Sequence, residues 1–317
     1  MDKIYIKKIS EVNEGQLKEF YTNVFKFEKS VLENYKWRYR IGHNNCEPIV
    51  LIVNNKICGH AGLIPTDIKL NNIKEKAIWF TDLFIDSNYR SKGYGKLLTE
   101  EWMKICPLQI TMCNNDSLNL FKKLCWNYNQ NFVRKIKIIN YLNIFPFIRN
   151  LKKKEALVNS VINDLDVNEV KNNNLSKIIE LSEHISSGYE SCLIRDENWF
   201  KWRVLDCPYK KDILIFSNKE EYVIGHLLKK NGFKRLNIIF STHNINSNIF
   251  KLISKWLKIN GFDYLAYIDY QTKPVSNFLP TSKSMNFAFF SKNDSKLNTI
   301  KNSFKDIQYI DSDIDFI

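Results

Sequence analysis

Glycine is scarce in this chain, with 10 in 317 residues, against an average usage of ~7%. The seven cysteines are odd in number and scattered, and no two form a Cys-x-x-Cys pair. That argues against a disulfide framework and against a zinc site, and no metal site is expected. Long apolar runs are missing too. None approaches the ~20 residues that span a bilayer, and Leu142 to Ile148 is the nearest candidate. The opening Met1-Asp2-Lys3-Ile4-Tyr5-Ile6 alternates like a strand and lacks the apolar core of a secretory signal. A helical membrane protein and a disulfide-stapled secreted module are therefore set aside, and a reducing, cytoplasmic setting is the expectation. Acidic side chains are outnumbered, 34 against 47 Lys and Arg, for a formal charge of +13. The lysines are nevertheless spread along the chain, and Arg149-Asn150-Leu151-Lys152-Lys153-Lys154 reads as a solvated linker. No nucleic-acid partner is expected.

What is present is a globular composition, 44% hydrophobic and 14% aromatic, at a length that suits two domains. Two of the few glycines stand in Arg90-Ser91-Lys92-Gly93-Tyr94-Gly95, followed by Lys96. This stretch lies between the apolar run Trp79-Phe80-Thr81-Asp82-Leu83-Phe84-Ile85 and a helical pattern carrying Leu98, Trp102 and Ile105, which Pro107 is expected to end. A glycine loop that leaves a strand and opens a helix has unpartnered N–H groups at the positive end of the helix dipole. It is suited to a phosphate or pyrophosphate. The dinucleotide fingerprint needs a third glycine where Leu98 stands, and the mononucleotide loop needs Ser or Thr where Leu97 stands.

After a short strand, Leu108 to Met112, come Asn114, Ser117, Leu120, Phe121, Lys123, Cys125 and Trp126. The two segments resemble, in order and spacing, the Arg/Gln-x-x-Gly-x-Gly/Ala loop and the Asn-x-x-Ala-x-x-Leu-Tyr-x-Lys-x-Gly-Phe signature of the GCN5-related N-acetyltransferase (GNAT) superfamily. The resemblance covers roughly residues 1 to 145 and implies an α/β fold with a mixed sheet flanked by helices. It implies acetyl-coenzyme A as co-substrate, its pyrophosphate on Arg90, Ser91, Lys92, Gly93, Tyr94, Gly95 and Lys96. Leu83, Phe84 and Ile85 would lie along the pantetheine arm and polarise the thioester, and Asn114 and Phe121 would contact the cofactor. The superfamily commonly has a tyrosine acid where Phe121 stands. Water, Cys113, Tyr128 or a residue of the second half could replace it.

The chain also repeats itself. Lys36-Trp37-Arg38, Ile49 to Val53 and Ile57-Cys58-Gly59-His60 are echoed by Lys201-Trp202-Arg203, Ile213 to Phe216 and Val223-Ile224-Gly225-His226. Two short motifs at nearly equal separation suggest a duplication. The second copy has no glycine or arginine in Ser241 to Asn248, ahead of its helix. The expectation is tandem GNAT-like domains, the second degenerate: residues 1–148 with the pyrophosphate loop, a linker at 149–162, and 163–317. The second half could shape the acceptor pocket, hold a homodimer together, or stabilise its partner.

Acetyl transfer to an amine needs a base. Asp82, read as sharing a strand face with Phe80 and Phe84, and His60, on the adjacent strand beside Ala61 and Gly62, are the two candidates. The recurrence of His226 counts against His60. The first half also resembles acetyltransferase-fold proteins encoded with surface-polysaccharide genes, through Trp37-Arg38-Tyr39, the Ile57 to Pro65 strand and the Phe121 to Trp126 close. That implies an amino sugar, including a nucleotide-linked one, as acceptor. A peptide or small amine, and a non-catalytic acyl-coenzyme A-binding or scaffold protein, are the alternatives.

Overall fold

The computed structural model describes residues 2–25, 29–43, 46–141, 162–219, 221–230, 232–243, 247–270, 279–304 and 307–308. The expected linker lies outside these residues apart from Ile162, as does the basic Arg149 to Lys154 stretch. The chain forms two compact units. The first takes Met1–Gln130, Glu190–Ile194 and Met285–Lys305, and the second takes Asn131–Tyr189, Arg195–Ser284 and Asp306–Ile317.

In the first unit the chain runs β1 (Ile4–Lys8), α1 (Glu14–Val24), α2 (Lys29–Arg38), β2 (Ile49–Val53), β3 (Lys56–Leu70), β4 (Ile73–Ile85), α3 (Tyr94–Trp102), β5 (Leu108–Cys113) and α4 (Asn115–Lys123). Strands β1 to β5 lie side by side in sequence order, antiparallel except for the parallel β4–β5 pair. All five residues of β2 are buried, so the continuous Ile-Val-Leu-Ile-Val run serves two covered faces. One face receives Leu98 and Trp102 of α3 and Leu118 and Phe121 of α4. The other receives α1, whose Leu17, Phe20 and Tyr21 are buried at helical spacing. Asn13 starts α1 by accepting the N–H groups of Gly15 and Gln16. Helix α3 ends at Trp102, five residues before Pro107, and Ile105 is exposed rather than part of its apolar face.

The second unit has a comparable order, without a counterpart of α4 among the described residues. It has β7 (Asp166–Glu169), α5 (Asn172–Ser187), α6 (Glu197–Phe200) continued by one π turn (Lys201–Leu205), β9 (Ile213–Asn218), β10 (Glu221–Lys230), β11 (Phe233–Ser241), α7 (Asn248–Ile259) and β12 (Tyr264–Tyr270). Its sheet runs β7-β9-β10-β11-β12, again antiparallel except for the last, parallel pair. The short β8 (Cys192–Leu193) is an edge partner of β3 in the first unit.

The units are not the contiguous blocks expected from the sequence. A sheet ending on β5 leaves a row of open backbone groups, and these are filled by residues 286–291 of the late strand β13 (Leu279–Ser291). The strand that follows α4 in sequence, β6 (Asn127–Ile138), instead places residues 132–138 against β12 in the second unit. Each unit thus completes its sheet with a strand drawn from the other half of the sequence.

Candidate active site

The β4–β5 pairing is brief. It consists of Ile78 opposite Gln109 and Trp79 opposite Ile110, yet β4 runs on to Ile85 and β5 to Cys113. Thr111 Oγ1 donates to Phe80 O at 2.7 Å where the ladder stops. Beyond that point the strands part, leaving the β5-side backbone edge of Leu83, Phe84 and Ile85 outside this ladder. Main chain that a neighbouring strand leaves open can bind an extended amide-containing ligand by strand-like hydrogen bonds.

β4 also carries a bulge. Gly62 pairs with Thr81 and His60 with Phe84, so Asp82 and Leu83 together face the single residue Ala61. Asp82 takes a positive φ of 49°. The bulge separates Asp82 from Phe80, while Phe84 stays on the side of Asp82, with its ring centre 6.0 Å from that of Phe20 in α1. Phe80 goes into the core, while Asp82 turns to the α1–α2 side.

The loop after β4 has the features of an anion cradle. Gly93 is the N-cap of α3 with φ +82°, and no side chain caps that end. Leu97 is the first residue of α3 to bond back, donating to Gly93 O at 3.0 Å. The amides of Tyr94, Gly95 and Lys96 precede it, at the positive end of the dipole. A Cβ placed on Gly93 meets nothing within 4 Å, so the loop opens onto space of the kind a pyrophosphate needs. Arg90 braces the loop: its Nε donates to Ile85 O at 2.9 Å and its guanidinium lies 5.7 Å from the Phe84 ring centre. Ser91 is also left-handed, with φ 62°. Ser91 and Lys92 are exposed, and Lys92 Nζ sits 5.4 Å from the Tyr89 ring centre. The residues present fit a pyrophosphate.

Asp82 and His60, the two expected bases, are brought together, but their proton-accepting atoms are already engaged. Arg38 holds the Asp82 carboxylate through Nε at 2.9 Å and Nη2 at 3.0 Å, and the Tyr39 hydroxyl donates to it at 2.7 Å. Burial would push this carboxyl up; the Arg38 charge and hydrogen bond, with the Tyr39 hydroxyl, overcome that and hold it below the usual carboxylate range. His60 is fully buried among Phe20, Tyr21, Phe25 and Tyr39. Its Nδ1 lies 3.1 Å from Asp82 O and its Nε2 lies 3.2 Å from the Tyr21 hydroxyl. A carbonyl only accepts, so Nδ1 carries the proton, Nε2 accepts, and Tyr21 donates. Burial lowers the His60 pKa to about 4, partly opposed by Asp82. The imidazole is a neutral tether for the bulge, without a free nitrogen facing a substrate.

The second signature divides. Asn114 is exposed at the end of β5 and its Oδ1 caps α4 through Ser117 N–H at 2.9 Å. Its side-chain amide is thereby set at the open end of the cleft. Phe121, expected to touch the cofactor, is instead 1% exposed and packed between Phe80 and Trp126. A ring without a hydroxyl loses nothing by complete burial. Cys125 has φ 59°, while Trp126 N–H bonds Phe121 O and Cys125 N–H bonds Lys122 O. This is a Schellman close, in which glycine is the unstrained residue. Of the substitute acids, the Cys113 thiol is pushed up to about 12 by burial. Tyr128 is 42% exposed, with Lys122 Nζ 4.5 Å from its ring centre. Among the described residues no cluster of three His, Cys, Asp or Glu could hold a metal ion, and no helix is long and apolar enough to cross a membrane.

The corresponding helix end of the second unit is filled from within. Glu221 Oε2 accepts the N–H of Ile249 in the first turn of α7 at 3.0 Å, placing a carboxylate where α3 offers bare amides. The β10–β11 bulge is displaced as well, lying between Ile224 and Gly225. Sequence reasoning saw the missing glycines but not Glu221, nor Arg38, Tyr39 and Tyr21 as partners of the candidate bases. Arg38 and Tyr39 stand in the Trp37-Arg38-Tyr39 segment, which does not say what they bind, and no motif marks Glu221 or Tyr21.

Residues 12–125 match the family model described as "Acetyltransferase (GNAT) family". No curated protein matches the chain. A solved GCN5-related N-acetyltransferase from Anabaena variabilis is similar at TM-score 0.60 and 16% identity, covering 93% of this chain and 74% of that one. One from Kribbella flavida gives TM-score 0.57 and 10% identity, over 90% and 71%. Saccharomyces cerevisiae N-myristoyltransferase with bound myristoyl-CoA gives TM-score 0.60 and 11% identity, over 91% and 80%. At these identities the structures speak to fold. With the parted strands and the glycine loop, the family match makes residues 12–125 a GNAT domain, that of an acyltransferase whose acyl donor is acetyl-coenzyme A.

Proposed function

We propose that the chain is a tandem GNAT-fold N-acetyltransferase in which only the first unit binds acetyl-coenzyme A, and that the acceptor is the amine of an amino sugar, including nucleotide-linked ones. The observation that carries the one-donor reading is the contrast between the two helix ends: bare amides behind Gly93, a Glu221 carboxylate on α7. The shared strand order of the two units supports the tandem reading. In this reading Ser91, Lys92, Gly93, Tyr94, Gly95 and Lys96 hold the pyrophosphate. The β5-side backbone of Leu83, Phe84 and Ile85 pairs with the pantetheine arm and donates to the thioester oxygen, and the Asn114 amide contributes at the cleft mouth. The bound donor supplies an acetyl group activated as a thioester. The chain's own contribution is orientation and polarisation by fixed main-chain dipoles. Asp82 and His60 hold that main chain in place, and the amine is deprotonated by water.

The acceptor reading rests on the sequence resemblance and on a hollow of about 660 Å³ along α1 and α2. Its lining of Glu14, Lys18, Thr22, Glu33, Tyr35 and Lys36 is hydrogen-bonding throughout and suits a polyhydroxylated ligand better than an apolar one. Of its two carboxylates Glu14 is ion-paired with Lys18, and Glu33 is the one that favours a second reading, a cationic small amine or peptide. A thiol-release assay with acetyl-coenzyme A separates them: turnover with amino sugars or nucleotide amino-sugars supports the first, turnover confined to polyamines or peptides the second. Donor binding with no release for any amine returns the chain to an acyl-coenzyme A-binding role.

A further inference from the structure

We infer that Arg38, seconded by Tyr39, is a positioning residue for acyl transfer, setting from α2 the bulge whose backbone meets the thioester. The inference rests on the acyltransfer reading above. Asp82 occupies left-handed backbone at φ 49°, a conformation unfavourable for an L-residue that persists where its surroundings over-determine it. Here they do so from both ends of the residue. The main-chain oxygen is tethered by His60, which is itself fixed by Tyr21. The carboxylate is held by the two-pronged Arg38 contact and by Tyr39.

The Arg38 and Asp82 side chains are only 3% and 10% exposed. A desolvated ion pair of this kind is poor evidence for stability, because stripping water from both charges offsets much of their attraction; it does fix geometry. The geometry fixed is that of Leu83, Phe84 and Ile85, the next three residues along β4. Arg38 and Tyr39 belong to the segment at the end of α2, whose Glu33, Tyr35 and Lys36 line the proposed acceptor hollow. One ion pair therefore couples the acceptor-side helix to the acyl-side strand. Displacing the strand by a fraction of an ångström moves every donor aimed at the thioester oxygen.

The test compares Arg38→Gln, Tyr39→Phe and the double variant Arg38→Gln/Asp82→Asn with the native chain, using acetyl-coenzyme A and whichever amine the native chain acetylates. Misplacement predicts that Arg38→Gln lowers kcat ~10–100-fold. The Kd for acetyl-coenzyme A, set by the pyrophosphate loop, should stay within about 3-fold, and Tyr39→Phe should show a smaller loss of the same kind. The double variant, which replaces the ion pair by two neutral amides, should recover at least ~5-fold of the lost kcat if the two side chains act as one unit. Unchanged kcat in folded Arg38→Gln overturns the inference. So does a loss confined to the acceptor KM, or a double variant no better than the single. If Arg38→Gln does not fold, native kcat in Tyr39→Phe overturns it. A native chain that binds the donor but acetylates no amine overturns the acyltransfer reading and this inference with it. Native turnover matched by the variants overturns this inference alone.

Discussion

Acid should loosen this protein through one buried imidazole. His60 has an ordinary pKa of 6.5 when exposed and about 4 in the fold, so the unfolded chain binds its proton more readily. Its contribution to stability is complete above the exposed value and is lost as pH falls toward the folded one. The full difference is about 3 kcal/mol, of which about 2 kcal/mol is gone by pH 5. The cause is local: a ring with both nitrogens engaged, enclosed by Phe20, Tyr21, Phe25 and Tyr39. Protonation would give Nε2 a hydrogen where it must accept one from Tyr21. Asp82, also held low, adds acid sensitivity of the same sign further down the scale. Urea denaturation of the native chain and of His60→Gln at pH 7.5 and pH 5 isolates the imidazole, because Gln does not titrate. The variant is less stable at pH 7.5, but its loss between the two pH values should be smaller than the native loss by about 2 kcal/mol. An equal drop in both proteins refutes the buried, neutral His60.

Other outcomes follow from single residues. Gly93→Val places a β-branched residue at φ +82°, in the space assigned to the pyrophosphate. Acetyl-coenzyme A affinity should fall at least ~10-fold by calorimetry while circular dichroism stays native. Cys125→Gly relieves a left-handed cysteine at φ 59° and should raise stability by up to about 1 kcal/mol in thermal or urea unfolding. Glu221→Gln removes the charge at the start of α7 and should cost about 0.3–1 kcal/mol, with turnover unaffected.

Local patterns were readable from the sequence, and long-range pairings were not. The apolar run Ile49 to Val53 is β2 to the residue, because five consecutive branched or long aliphatics between turn residues fit little else. The loop at Arg90 to Gly95 was legible because glycine at a strand-to-helix turn has few other uses. The bulge was not, since alternation says nothing of an inserted residue. Hence Asp82 looked like a pocket base until the register showed it turned toward Arg38, 44 positions away. Phe121 was placed by motif, and its burial depends on Phe80 and Trp126 meeting it. The exchange of final strands depends on pairing residues 286–291 with β5, which no local signal encodes.

The central claim is that one acetyl-coenzyme A binds each chain, on the loop of the first unit. Calorimetric titration of the native chain, repeated with Gly93→Val, tests it most directly. One site per native chain, lost or much weakened in the variant, is the result predicted. Two equivalent sites, no binding, or a single site indifferent to Gly93→Val would contradict it.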